Sequence, residues 1–267
     1  MPQVVLTIGG SDSGGGAGIQ ADLKTFCVLG LHGTCAVTAI TAQNTLGVQQ
    51  VYGLGPDVVT AQLKSITDDF SISFAKTGML HSADIVIAVA HHLQKREIPF
   101  VLDPVIEAEA GGRLLRPEAV EALKAYLVPL ARVVTPNIYE AQALTGVQVR
   151  DRDSALLAAQ KILQLGPKAV IVKGGHLDCT DLLVEGDEIF LLPGGRIKGE
   201  NHGVGCTYSA ALTSFLALGS PLKEAARLAK TFAERALIGS MRVGKGVGPV
   251  SQAAAGCEPP PGFMRKI

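Results

Sequence analysis

Val4-Val5-Leu6-Thr7-Ile8-Gly9-Gly10-Ser11-Asp12-Ser13-Gly14-Gly15-Gly16-Ala17-Gly18-Ile19-Gln20-Ala21-Asp22 decides the fold. A short β-branched apolar run enters a turn dense in glycine, and an amphipathic stretch leaves it. This reads as a buried strand feeding a helix, with backbone N–H groups presented at the helix start. The same alternation recurs along the chain. Val4–Ile8, Cys35–Ile40, Phe74–Lys76, Phe100–Leu102, Arg132–Val134 and Ala169–Val172 read as buried strands. Between them Gly18–Leu29, Asp57–Ile66, Ala83–Gln94, Pro117–Tyr126, Ile138–Leu144 and Ser154–Leu165 carry helical spacing. Strand and helix in alternation predict an α/β fold with a mostly parallel sheet covered on both faces. Leu182–Glu185 and Glu188–Leu192, joined through Gly186-Asp187, predict an antiparallel edge hairpin. Helices over about Cys206–Leu218 and Leu222–Met241 follow, and Ala253–Ile267, with three consecutive prolines, reads as an extended tail. No linker or repeat divides residues 1–267, so one domain is expected.

Composition narrows the partners. The formal net charge is zero and no basic stripe is present, which removes the footprint of a nucleic-acid binder. Five scattered cysteines without CxxC spacing argue against a disulfide framework or structural zinc and for a reducing compartment. Met1-Pro2-Gln3 runs into Val4 without a basic segment or cleavage pattern, and apolar runs fall far short of the roughly 20 residues that span a bilayer. A cytoplasmic protein with no membrane partner is expected, acting on a small molecule.

Ligands of open parallel sheets bind beyond the carboxyl ends of the strands, so strand-end residues are the candidates. The first glycine turn contains Gly16-x-Gly18-x-x-Ala21, a partial dinucleotide fingerprint. The acidic residue needed about 20 positions on is missing from Ala36–Asn44. A second turn, His202-Gly203-Val204-Gly205-Cys206-Thr207, precedes a small-residue helix. Its N–H groups and the helix dipole suit developing negative charge, and the dipole is expected to lower the Cys206 thiol pKa. The alternative for Cys206 is a small residue packed at a tight helix entry. Asn137 and Glu140, after a strand, suit Mg-bound water and phosphate oxygens, yet Asn-x-x-Glu is equally a capping box. Asp103 ends a buried strand before Pro104, as a metal- or phosphate-facing carboxylate or a turn former. Lys173 ends another strand, where it could meet phosphate or water. Gly239–Gly246 nearly matches a P-loop, but Gly246 takes the Ser/Thr position and the segment follows a helix.

In this order the segments resemble the hydroxymethylpyrimidine/phosphomethylpyrimidine kinases of thiamine biosynthesis. The resemblance rests on Gly10–Thr25, Thr41–Thr45, Lys76–Leu80, Asp103–Val105, Thr135–Asn137, Lys173–His176, His202–Thr207 and Val243–Pro249, spread over residues 4–250. It implies a three-layer αβα, ribokinase-like fold. It also implies transfer of a γ-phosphoryl group from Mg-ATP to 4-amino-5-hydroxymethyl-2-methylpyrimidine, then of a second to the monophosphate. By resemblance Gly10, Asp22, Gln43, Met79 and Ile106 line the pyrimidine pocket, where an amide that donates and accepts suits an aminopyrimidine edge. Cys206 becomes the general base, with the N–H groups of Gly203, Val204, Gly205 and Cys206 stabilising transferring charge. Asp103 and Glu140 serve Mg2+ and phosphate, together with Asn137; Lys173, Lys245 and Asn137 lie at the ATP. A homodimer is the expected assembly.

Two departures mark the chain. Val204 stands where the family has Thr, which removes a hydroxyl, and Val105–Gly112 reads Val-Ile-Glu-Ala-Glu-Ala-Gly-Gly where Lys-Ser-Gly is usual. Glu109 thereby places a negative charge where the family has a positive one. Two other readings follow: a pyridoxal-type kinase of the same fold, or a catalytically silent pyrimidine-binding regulatory relative.

Overall fold

The computed structural model describes residues 3–106, 115 and 117–256. Among the described residues nine strands join one sheet in the order β3-β2-β1-β4-β5-β6-β7-β8-β9. Its parallel centre comprises β1 (Val4–Asp12), β2 (His32–Asn44), β4 (Ile72–Thr77), β5 (Phe100–Leu102), β6 (Val133–Val134) and β7 (Ala169–Val172). β8 (Asp181–Glu185) and β9 (Glu188–Leu192) form the expected edge hairpin. At the opposite edge β3 (Gly47–Gly53) pairs antiparallel with β2, a second hairpin that the sequence reading omitted. Its half-exposed Val-Gln-Gln-Val-Tyr run has no uniform apolar face and gains its structure from the β2 ladder.

Alternate residues of the central strands enter two cores, which accounts for their β-branched, nearly continuous apolar runs. Leu6 and Ile8 pack with α2 (Pro56–Asp69), α3 (Ala83–Lys95), α4 (Pro117–Ala122), α5 (Ile138–Thr145) and α6 (Arg152–Leu163). Val5 and Val101 pack with α1 (Gly18–Val28), α7 (Val204–Ala217), α8 (Leu222–Ile238) and α9 (Gln252–Gly256) on the other face. The result is the expected three-layer αβα architecture. α9 corrects the expected extended tail. Gln252 enters the interior to donate to the Thr207 hydroxyl at 2.9 Å, and Ala255 is buried. Residues 257–267 of that tail lie outside the described residues.

The chain leaves β1 through α1 on one face and leaves β2 and β3 through α2 on the other. The sheet thus changes winding beside β1, where a crevice opens at the strand carboxyl ends. A register shift between Gly9 and Gly10 extends β1 along β2 to Asp12, beyond the predicted end at Ile8.

Candidate active site

A cleft of about 210 Å³ opens at the carboxyl ends of the central strands. β1 delivers Asp12, β4 delivers Lys76, and the segments after β5, β6 and β7 deliver Asp103, Asn137 and Lys173. The two glycine turns form its floor against each other. Gly203 caps α7 with φ at +86°, and a Cβ there would lie 1.9 Å from the Gly16 carbonyl oxygen, so no side chain fits.

Asp12 organises this floor. Its Oδ1 accepts from the Gly14 N–H at 2.8 Å, and its Oδ2 from the Gly16 and Ala17 N–H groups at 3.0 and 2.9 Å. His202 Nε2 lies 2.9 Å from the same Oδ2, tying the first turn to the second. Burial pushes the Asp12 carboxyl up, but the bonds from His202, Ala17 and Gly14 outweigh it and hold it below its ordinary value.

Lys76 lines the same cleft as Cys206. The ammonium, almost wholly buried, donates to both oxygens of Asp22 at 3.0 and 2.9 Å, while Thr7 donates to Asp22 Oδ2 at 2.6 Å. Burial disfavours the Lys76 charge, but Asp22, Cys206 and Asp103 more than offset it and raise its pKa. Asp22 reaches the cleft wall, with its oxygens engaged by Lys76 and Thr7.

The Cys206 expectation changes here. Burial pushes its thiol up to about 12, and Asp22 and Asp103 add to the rise; Lys76 and the Gly18 N–H oppose it. Desolvation and two carboxylates therefore outweigh the helix start, and the thiol is not activated in the way the sequence suggested. The anion turn also has fewer donors than expected. Val204 N–H donates to the Asn201 carbonyl at 3.1 Å, leaving Gly203, Gly205 and Cys206 as the first-turn N–H groups without an i−4 partner by position. The Val204 side chain packs on the α7–α8 core.

At the other end Lys173 donates to Asp103 Oδ1 at 3.0 Å and lies 3.9 Å from Glu140 Oε2. Ser209 donates to Asp103 Oδ2 at 3.0 Å. Burial works against the Lys173 charge, but Asp103 and Glu140 raise its pKa. Lys173 Nζ is 3.6 Å from where a Cβ on Gly205 would stand, so it adjoins the anion turn. Asn137 and Glu140 form the capping box: Asn137 Oδ1 accepts from the Tyr139 and Glu140 N–H groups, and Glu140 Oε2 from the Asn137 N–H at 2.7 Å. Both also line the cleft, so capping fixes their place in it.

Gly10, Gln43 and Met79 reach the same cleft. Gln43 Oε1 accepts from Thr41 at 3.1 Å, and its amide nitrogen lies 3.3 Å from His202 Nε2. Two expected residues do not reach it. Ile106 is buried in the core on the α2–α6 face, with Val105 lining the cleft in its stead. Lys245 lies on an exposed loop whose Lys245 and Gly246 N–H groups donate to Thr45 Oγ1, holding it on the β2–β3 turn. Glu109 lies outside the described residues. Asp12, His202 and Lys76 were not singled out from the sequence. Lys76 had a readable signal: a charge inside an otherwise apolar strand requires a buried partner.

The sequence model of the phosphomethylpyrimidine kinases matches residues 12–251. The chain belongs to that family. A hydroxymethylpyrimidine/phosphomethylpyrimidine kinase of Haemophilus influenzae is 47 % identical over 261 residues, covering 94 % of this chain and 96 % of its own. Another, from Rhizobium meliloti, is 46 % identical, covering 94 % and 97 %. Among solved structures, the ADP complex of Bacillus subtilis pyridoxal kinase superposes with a TM-score of 0.89 at 39 % identity, covering 95 % of this chain and 98 % of that one. As a member of the phosphomethylpyrimidine kinase family the chain is a phosphotransferase with the ribokinase-like fold, as the sequence resemblance implied.

Proposed function

We propose that the protein transfers the γ-phosphoryl group of ATP to 4-amino-5-hydroxymethyl-2-methylpyrimidine and then to its monophosphate. The observation that carries this reading is the convergence, in one cleft, of the Gln43 amide, Cys206, the first-turn N–H groups of α7 and Lys173. Gly10, Gln43 and Met79 hold the ring end. Gly203, Gly205 and Cys206 N–H groups, with Lys173, stabilise charge on the transferring group. Cys206, in the cleft beside the first-turn N–H groups of α7, is the base that takes the hydroxyl proton. Asp103 and Glu140 provide two carboxylates beside Lys173, a donor set suited to a magnesium ion that keeps water and rests mainly on nucleotide phosphates. When bound, that ion would neutralise phosphate charge. The scattered cysteines, without paired CxxC spacing, favour a cytoplasmic setting. Among the described residues no helix is long and apolar enough to cross a membrane.

Likeness to a pyridoxal kinase favours a second reading, phosphorylation of pyridoxal. Coupled ATP assays with the pyrimidine alcohol, its monophosphate and pyridoxal, each alone, separate the readings. Turnover of both pyrimidines is expected; a clear preference for pyridoxal overturns the substrate assignment, and pyrimidine binding without turnover makes the protein a silent relative.

A further inference from the structure

Behind the Lys173 strand end, α8 carries Lys230 into the interior, where the residue is 9 % exposed. Its Nζ donates to the Cys179 carbonyl at 2.9 Å and pairs with Asp181 Oδ1 at 3.0 Å. The same Asp181 oxygen accepts from the Gly174 N–H at 2.9 Å. The buried phenol of Tyr208, two residues after Cys206, lies beside Asp181, and Glu234 also faces Lys230. None of these charged groups lines the cleft.

An ion pair removed from water is a poor source of stability, because desolvation offsets much of the attraction. Apolar residues would serve α8 packing as well, as its buried Ala226, Ala229 and Ala233 do. What the pair does uniquely is fix backbone. The Lys173 N–H donates to the Pro136 carbonyl at 2.8 Å, and the next N–H, of Gly174, is held by Asp181. The peptide that carries Lys173 is thus pinned on both sides. Gly175 and His176, which line the cleft, leave directly from this anchor, and the Lys230 bond to Cys179 fastens the far end of the same turn.

We propose that Lys230 and Asp181 are positioning residues that hold the Lys173–Cys179 turn in register for the phosphate-donor end of the site. The inference rests on the reading of Lys173 as a nucleotide contact. Misplacing such a contact by a fraction of an ångström costs affinity and rate without touching the pyrimidine pocket.

The test compares Lys230→Met, Asp181→Asn and the double variant with wild type. It measures ADP affinity by calorimetry, pyrimidine affinity, Tm, and ATP turnover. Lys230→Met is expected to weaken ADP binding and raise the ATP KM by roughly tenfold to a hundredfold, with pyrimidine affinity unchanged. The double variant removes both charges, recovers Tm relative to Lys230→Met, and keeps the ADP defect because Cys179 still lacks its donor. Recovery of ADP affinity together with Tm would overturn the proposal, as would an equal loss of pyrimidine affinity. Arg152→Ala, which removes the exposed contacts of Arg152 with Asp178 and the Thr180 hydroxyl, should leave ADP binding unchanged. Wild type that binds ADP but phosphorylates no pyrimidine defeats the substrate reading; the ADP series still decides the role of Lys230.

Discussion

Two lysines face one cleft, one buried and one partly exposed, and are partnered in different ways. Lys76 has both oxygens of Asp22, which Thr7 further saturates, and is 1 % exposed. Lys173 has one bond to Asp103 and a looser approach to Glu140, and is 15 % exposed. The first charge is locked: it balances Asp22 and favours the thiolate of Cys206. The second keeps part of its side chain exposed at the cleft. Burial depth and pairing geometry therefore separate the two cations, and the less buried one is the proposed nucleotide contact.

The contrast can be broken most severely at the thiol between the two. Cys206→Ala is expected to lower kcat by roughly 10²–10⁴ with pyrimidine binding retained; near-normal turnover would end the general-base role. Lys76→Met leaves Asp22 buried and unpaired, so urea unfolding should show a loss of about 3–5 kcal/mol. Lys173→Met should lower kcat/KM for ATP by roughly 10²–10³ with a smaller stability loss, since water entering the cleft can solvate Asp103. If the two variants lose stability equally, the distinction between locked and available charge fails.

Alkaline pH probes the locked end. Lys76 and Cys206 both hold their protons more tightly in the folded state, the thiol to about 12 against an ordinary 9.0. Their contribution to stability is complete below pH about 9 and is lost as pH rises further, because the unfolded chain then binds fewer protons. Denaturant midpoints at neutral and alkaline pH should show that decline. If thiolate is the reactive form, kcat/KM should rise by about tenfold per pH unit above neutrality, whereas a flat profile points to another base. The smallest expected effect sharpens the available end: Asn137→Ala removes the cap of α5 and should cost about 1 kcal/mol, with a further loss in ATP turnover only if the Asn137 amide meets the nucleotide.

The parallel centre and the β8–β9 hairpin were legible because their runs are apolar and bounded by turn chemistry. β3 was not, since Val48, Gln49, Gln50, Val51 and Tyr52 carry no uniform buried face and take their conformation from pairing with β2. α9 was hidden by the prolines that follow it, although Gln252 and Ala255 pack inward. In the cleft, glycines, strand-end charges and the cap could be read locally. Ile106 and Lys245 could not be ruled out locally, since a one-residue shift of facing or a loop anchored on Thr45 is a matter of long-range contact.

The sequence by itself determined the alternation of strand and helix, the two glycine turns, the family and the strand-end positions of Asp103, Asn137 and Lys173. These follow from periodicity, from backbone requirements and from matching segments, all of which are written along the chain. Only the tertiary structure decided the state of Cys206, the saturation of Asp22 by Lys76, the openness of Lys173 and the anchoring of its turn by Lys230. Each depends on desolvation and on charges brought together from distant positions, and neither quantity exists until the chain has folded.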